Sequence, residues 1–111
     1  MRLWLAIPLV SLGMISSRIV SAQQGDPAAG KAVYTKSCAT CHGTGGEGKE
    51  AIAKALKVEM RHLGSPEVQA KSDAELRKDV VEGVGKMKPV KSLSDKDLGN
   101  MIAYLRTLAK K

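Results

Sequence analysis

The chain has no phenylalanine, one tryptophan and two tyrosines among 111 residues. Few large rings are therefore available to fill a core, and a chain this short has room for one domain. Cysteine is equally sparse, with only Cys38 and Cys41. One pair of thiols and two histidines cannot build the usual structural zinc site, which takes four ligands, commonly from two such pairs. No stretch alternates apolar and polar residues as a strand does, so a thioredoxin-like βαβ redox pair has no context. No internal repeat or low-complexity tract is present. Negative charge is also short: 18 Lys and Arg face 11 Asp and Glu, a formal net charge of +7, so a basic surface is expected.

No apolar run is long enough to cross a bilayer comfortably. The longest spans Leu3 to Ile15, about 13 residues where a spanning helix needs about 20. Arg2 precedes it, Arg18 interrupts it, and Val20-Ser21-Ala22 supplies small or permissive residues for cleavage. Residues 1–22 read as a secretory signal peptide and 23–111 as the working domain, with an uncleaved membrane anchor as the alternative. Export places the domain in the periplasm or an equivalent compartment. Loss of Arg2 and Arg18 leaves 16 Lys and Arg against 11 Asp and Glu, a net of +5, and only Tyr34 and Tyr104 as aromatics.

What is present centres on Cys38-Ala39-Thr40-Cys41-His42. C-x-x-C-H is the attachment pattern of a c-type haem. Two thiols that add to the two vinyl groups of one porphyrin must lie a short fixed distance apart. The next residue, His42, then falls under the ring, where its imidazole can bind iron. A disulfide across this spacing would be strained and would leave His42 without a role. Haem also supplies the apolar bulk that the sequence lacks.

The flanking pattern is helical. Asp26-Pro27 is an N-cap followed by Pro at the first helical position, opening a helix to about Cys38 with Ala29, Val33 and Tyr34 on one face and Lys31 and Lys36 outward. Gly30 inside it costs helix stability, which suggests a close helix contact. The run Gly43-Thr44-Gly45-Gly46-Glu47-Gly48 marks a tight loop. Residues 50–58 form a short helix with Ile52, Ala55 and Leu56 inward, and Gly64-Ser65-Pro66 is a turn. Ser72-Asp73-Ala74-Glu75 is a capping box for a helix carrying Leu76, Val80 and Val81 and stopping near Gly83. Ser94-Asp95-Lys96-Asp97 caps the last helix, whose stripe is Leu98, Met101, Ile102, Leu105 and Leu108.

A second axial iron ligand has four candidates: Met60, His62, Met87 and Met101. Met101 belongs to a packed stripe, where Met is usually filler. Met87 is favoured, because Gly83-Val84-Gly85-Lys86-Met87-Lys88-Pro89 is a Gly-rich loop with no packing reason to hold a thioether. Met60 and His62 remain open.

Together these features resemble the small class I c-type cytochromes, over nearly all of residues 23–111. The carriers are Gly30 and Tyr34 in the first helix, Cys38-x-x-Cys41-His42, Gly85-x-Met87-x-Pro89, and Ile102-Ala103-Tyr104-Leu105 in the last helix. The resemblance implies an all-α cytochrome c fold of about four helices around one covalently bound haem c and its iron. It implies that the first and last helices cross closely, with Gly30, Tyr34, Met101 and Tyr104 at the crossing. Cys38 and Cys41 would anchor the porphyrin, and His42 and Met87 would ligate the iron. Met87-Lys88-Pro89 stands where Met-Pro is commoner. No Trp is left after cleavage to meet the haem carboxylates, a task that then falls to Arg61 or backbone groups. The function so implied is one-electron transfer between redox partner proteins with acidic docking surfaces. The alternatives are a cytochrome subunit of a larger dehydrogenase or oxidase, or an open-site haem enzyme or sensor. A monomer without a nucleic-acid partner is expected. Lys86, Lys88 and Lys91 flank the Met87 loop and form the candidate docking face.

Overall fold

The structure, a computed structural model, describes residues 25–110. The expected secretory segment, 1–22, lies outside them. Among the described residues no helix is long and apolar enough to cross a membrane. The fold is all-α: α1 Pro27–Ser37, α2 Ala39–His42, α3 Glu50–Leu56, α4 Pro66–Gln69, α5 Asp73–Glu82 and α6 Asp95–Thr107. Six helices replace the four or so expected, because α2 and α4 are single turns of four residues each. One isolated antiparallel bridge, Val84 to Met87, is the only β pairing among the described residues.

Three helices begin where their polar side chains dictate. The Asp26 carboxylate accepts from the Ala28 N–H ahead of Pro27. Ser72 and Glu75 form the full reciprocal capping box of α5, and Ser94 accepts from the Asp97 N–H at the start of α6. Each cap satisfies an N–H that the helix itself leaves free.

The core lies where α1 crosses α6. Leu98, Met101, Ile102 and Leu105 of α6 bury against Tyr34 of α1 and Leu76 and Val80 of α5. Tyr34 and Met101 are each 1% exposed, and the Tyr34 and Tyr104 rings meet at 5.2 Å and 54°. The buried face of α1 is Gly30 and Tyr34. Ala29 is exposed, contrary to its expected inward place, because the missing side chain of Gly30 lets α6 approach on that side instead. A Cβ on Gly30 would lie 1.8 Å from the Asn100 carbonyl oxygen. Asn100 in turn accepts the Asp26 N–H through its side chain at 2.9 Å, so the same α6 residue anchors the start of α1. Val81 is 39% exposed, which leaves Leu76 and Val80 to carry the inner face of α5. Leu108 is the C-cap of α6 rather than part of it; it is half-buried and packs against the core.

Candidate functional site

Helix α1 stops at Cys38, whose backbone (φ −121°, ψ −36°) leaves the helical region. The chain then coils once more as α2, with the Cys41 and His42 N–H groups both donating to the Cys38 carbonyl. Gly43 ends that turn at φ +81°, a left-handed conformation that glycine adopts without strain. The Tyr34 hydroxyl donates to the Gly43 carbonyl at 2.5 Å. The buried aromatic of α1 thus pins the carbonyl of the residue after His42, and burial pushes its phenol up to about 12. Beyond Gly43 the loop folds back on α2. Gly48 N–H donates to the His42 carbonyl and Lys49 N–H to the Cys41 carbonyl.

These constraints place Cys38, Cys41 and His42 on the wall of a cavity of about 700 Å³, well within the range of small-molecule and cofactor pockets. Its lining is largely apolar and comes from every helix. Ile52, Ala55 and Leu56 of α3 face it, which explains why Leu56 is 40% exposed and Ala55 exposed although their spacing marks an inward face.

The chemistry of the three residues suits a tethered metal ligand. His42 is half-buried, its Nδ1 is buried with no hydrogen-bond partner, and desolvation lowers its pKa below the ordinary value. The imidazole is therefore neutral at pH 7, with a lone pair to offer. Both cysteines are free. Burial, then the neighbouring Cys41, pushes the Cys38 thiol up to about 11. That is the reverse of the lowered thiol pKa of a dithiol oxidoreductase.

On the cavity wall supplied by the 83–89 loop stands Met87. Its N–H donates to the Val84 carbonyl at 2.9 Å and its carbonyl accepts from the Val84 N–H at 3.2 Å, a tight turn through Gly85 and Lys86. Val90 N–H donates to the Val80 carbonyl at 2.8 Å, fastening the loop's exit to α5. Met60 and Met101 line the same cavity, whereas His62 does not; its Nδ1 accepts the Gly64 N–H at 2.8 Å. The structure thus gathers Cys38, Cys41, His42 and Met87 at one cavity and leaves His62 out. Arg61 lines the cavity but is exposed. Sequence reasoning missed Lys71 and Asp79, an ion pair on the wall; a separation of eight residues across a helix start carries no pattern to read. Among the described residues no cluster of three or more His, Cys, Asp or Glu could hold a metal ion by itself.

A family model described as cytochrome c oxidase, cbb3-type, subunit III matches residues 25–105. Cytochrome c-554(547) of Halothiobacillus neapolitanus is 36% identical over 89 residues, which cover 76% of this chain and 98% of that protein. Cytochrome c-555 of Chlorobaculum tepidum is 36% identical over 86 residues, 72% of this chain and 74% of that one. The solved structure of the KustC0563 c-type cytochrome superposes with a TM-score of 0.63 at 27% identity, covering 73% of this chain and 98% of its own. Similarity of this kind implies haem binding and electron transfer. The chain is a small c-type cytochrome domain, related to bacterial cytochromes c and to the third-subunit family of cbb3-type oxidases.

Proposed function

We propose that the protein is a periplasmic one-electron carrier built on a single haem c, held covalently by Cys38 and Cys41 and ligated by His42 and Met87. The observation that carries this reading is the convergence of those four side chains on one apolar cavity. Bound there, haem iron supplies a reversible one-electron couple whose potential a thioether ligand raises relative to a second imidazole. The protein's part is to hold. Tyr34 and Gly43 fix the turn that carries His42, the Val84–Met87 turn fixes the backbone of Met87, and the apolar wall excludes water. His42 and Met87 would hold the iron between them and so leave it no site for a substrate. Export rests on the sequence of residues 1–22.

Met87→Ala tests the ligand set. The haem stays attached, the weak red-edge absorbance band of Met-ligated Fe(III) disappears, and the reduced protein binds carbon monoxide where the wild type does not. An unaltered band with no carbon monoxide binding moves the ligand to Met60, the other loop thioether on the cavity. Carbon monoxide binding by the wild type itself supports the open-site enzyme or sensor.

Partner docking uses the Met87 loop. Lys86, Lys88 and Lys91 are exposed there, and electron tunnelling falls steeply with distance, so a partner must come close to the cavity mouth. Lys86 Nζ also donates to the Leu56 carbonyl, which makes Lys88 and Lys91 the cleaner probes. Lys88→Glu/Lys91→Glu slows electron transfer with an acidic redox partner by on the order of tenfold at low salt, an effect that shrinks as salt screens the charges. The haem spectrum is unaltered. Lys78→Glu/Lys96→Glu, exposed and outside the cavity lining, slows transfer less. Equal slowing by both pairs means that only overall charge acts.

The matched oxidase-subunit family supports a second reading, a cytochrome subunit of a larger complex. Co-purification of a stoichiometric partner from the native membrane distinguishes it from a free carrier.

A further inference from the structure

One ion pair on the cavity wall has no role in the chemistry described above. Lys71 Nζ lies 2.7 Å from Asp79 Oδ2, the two side chains being 39% and 27% exposed, and both residues line the cavity. Lys71 is fixed at both ends. Its carbonyl accepts from an Arg106 guanidinium nitrogen at 2.7 Å. The same side chain donates to the Gln69 carbonyl and pairs with Asp73, tying α6 to the start of α5. The ammonium end is set by Asp79. A partly exposed pair adds little stability, and moving charge onto an apolar wall has a desolvation cost, so stability does not account for its position. The other cations of the lining, Arg61, Lys86 and Lys88, are all exposed, and Lys71 alone is half-buried.

A haem is an apolar disc with two carboxylates, and a carboxylate drawn into an apolar cavity needs a positive partner. An ammonium has three donors, and Asp79 engages it on one side only. Resting on the haem reading above, we infer that Lys71, aligned by Asp79 and Arg106, receives a carboxylate of the bound haem inside the cavity. Arg61, the residue expected from the sequence for this contact, stays at the rim.

The consequence is electrostatic. Lys71 stands between Asp79 and the haem carboxylate and keeps the haem carboxylate ionised. Without it the haem carboxylate is left in the apolar cavity with no positive partner, and desolvation raises its pKa into the working range, with the facing Asp79 adding to the rise. Reduction of the iron then draws in a proton, so the reduction potential falls as pH rises. The experiment is redox titration of the intact holoprotein from about pH 5 to 8, spanning carboxylates raised from their usual values near 4. Wild type and Asp79→Asn show a shallow slope, Asp79→Asn at higher potential. Lys71→Gln shows a steep slope at lower potential, with the Arg106 bond to its backbone retained. Lys71→Gln/Asp79→Asn keeps a steep slope, because the haem carboxylate remains. Tyr34, His42, Glu59, Arg61, Lys86 and Lys88, the other charged or titratable side chains along the lining, are common to all four proteins. Two outcomes overturn the inference: a Lys71→Gln slope equal to wild type, or loss of the steep slope in the double variant, which leaves Asp79 as the only partner of Lys71. Absence of covalently attached haem from the wild type, read by intact mass, overturns the haem reading itself and the inference with it.

Discussion

Gly30→Val lowers the denaturation midpoint sharply, and Gly30→Ala does nearly as much damage. Both add the atom that matters. The new Cβ would stand 1.8 Å from the Asn100 carbonyl oxygen, 2.4 Å from its carbon and 2.9 Å from the Met101 nitrogen. These obstacles are helix backbone, which cannot rotate aside, so α1 and α6 must separate. The expected loss exceeds the ~1–3 kcal/mol typical of overpacking against movable side chains. The gain in helix propensity on losing glycine is at most ~1 kcal/mol and does not offset it. Separation also lifts the Tyr34 ring off Tyr104 and its hydroxyl off the Gly43 carbonyl, so the holoprotein should also show a disturbed His42 environment. Denaturant titration of the holoprotein checks the first effect and its absorbance spectrum the second. A raised midpoint would falsify the close crossing.

That crossing could be read in the sequence because Gly30 violates a local preference, and such a violation needs a tertiary cause. The inward face of α1 was legible in part: Tyr34 is buried and Val33 packs against the core as their spacing predicts, whereas Ala29 is exposed and its place is taken by Gly30, which has no side chain to count. The caps at Ser72 and Ser94 were legible because hydroxyl and carboxylate spacing acts within one turn. Helices α2 and α4 were not, since four residues give no period. Ser65-Pro66-Glu67 is nevertheless an N-cap, a first-turn Pro and a first-turn acid, and reads as a turn only if Gly64 is weighed more heavily. Of the site, Cys38, Cys41, His42 and Met87 carry sequence signals of spacing or context. Lys71 and Asp79 carry none, because their meeting depends on how α5 starts beside the cavity. Ala55 and Leu56 show a related limit: their apolar face is real, but it turns toward the cavity instead of the protein core.

Cys38→Ser/Cys41→Ser, produced without haem, has no cooperative thermal transition. Among the described residues the protein's own core is small, eight buried apolar side chains from α1, α2, α5 and α6. Beside it lies a cavity of about 700 Å³. Open to water and unfilled, its apolar walls forgo the ~25 cal/mol per Å² that burial against an occupant contributes, a loss that matters for a domain stable by only ~5–15 kcal/mol. Collapse of the walls recovers part of it but dismantles the site. Helix α3 in particular has no buried residue of its own, and its Ile52, Ala55 and Leu56 have the cavity to pack against. A covalent occupant that cannot dissociate removes the problem in the native protein, since its binding acts as folding free energy. Calorimetry should therefore show a sharp peak for the wild-type holoprotein and a broad, featureless trace for the double serine variant. Far-ultraviolet circular dichroism should retain part of the helix signal, because the caps of α5 and α6 are local. A sharp peak in the haem-free variant would mean that the α1–α6 crossing folds alone and that the cavity is preformed to receive its cofactor.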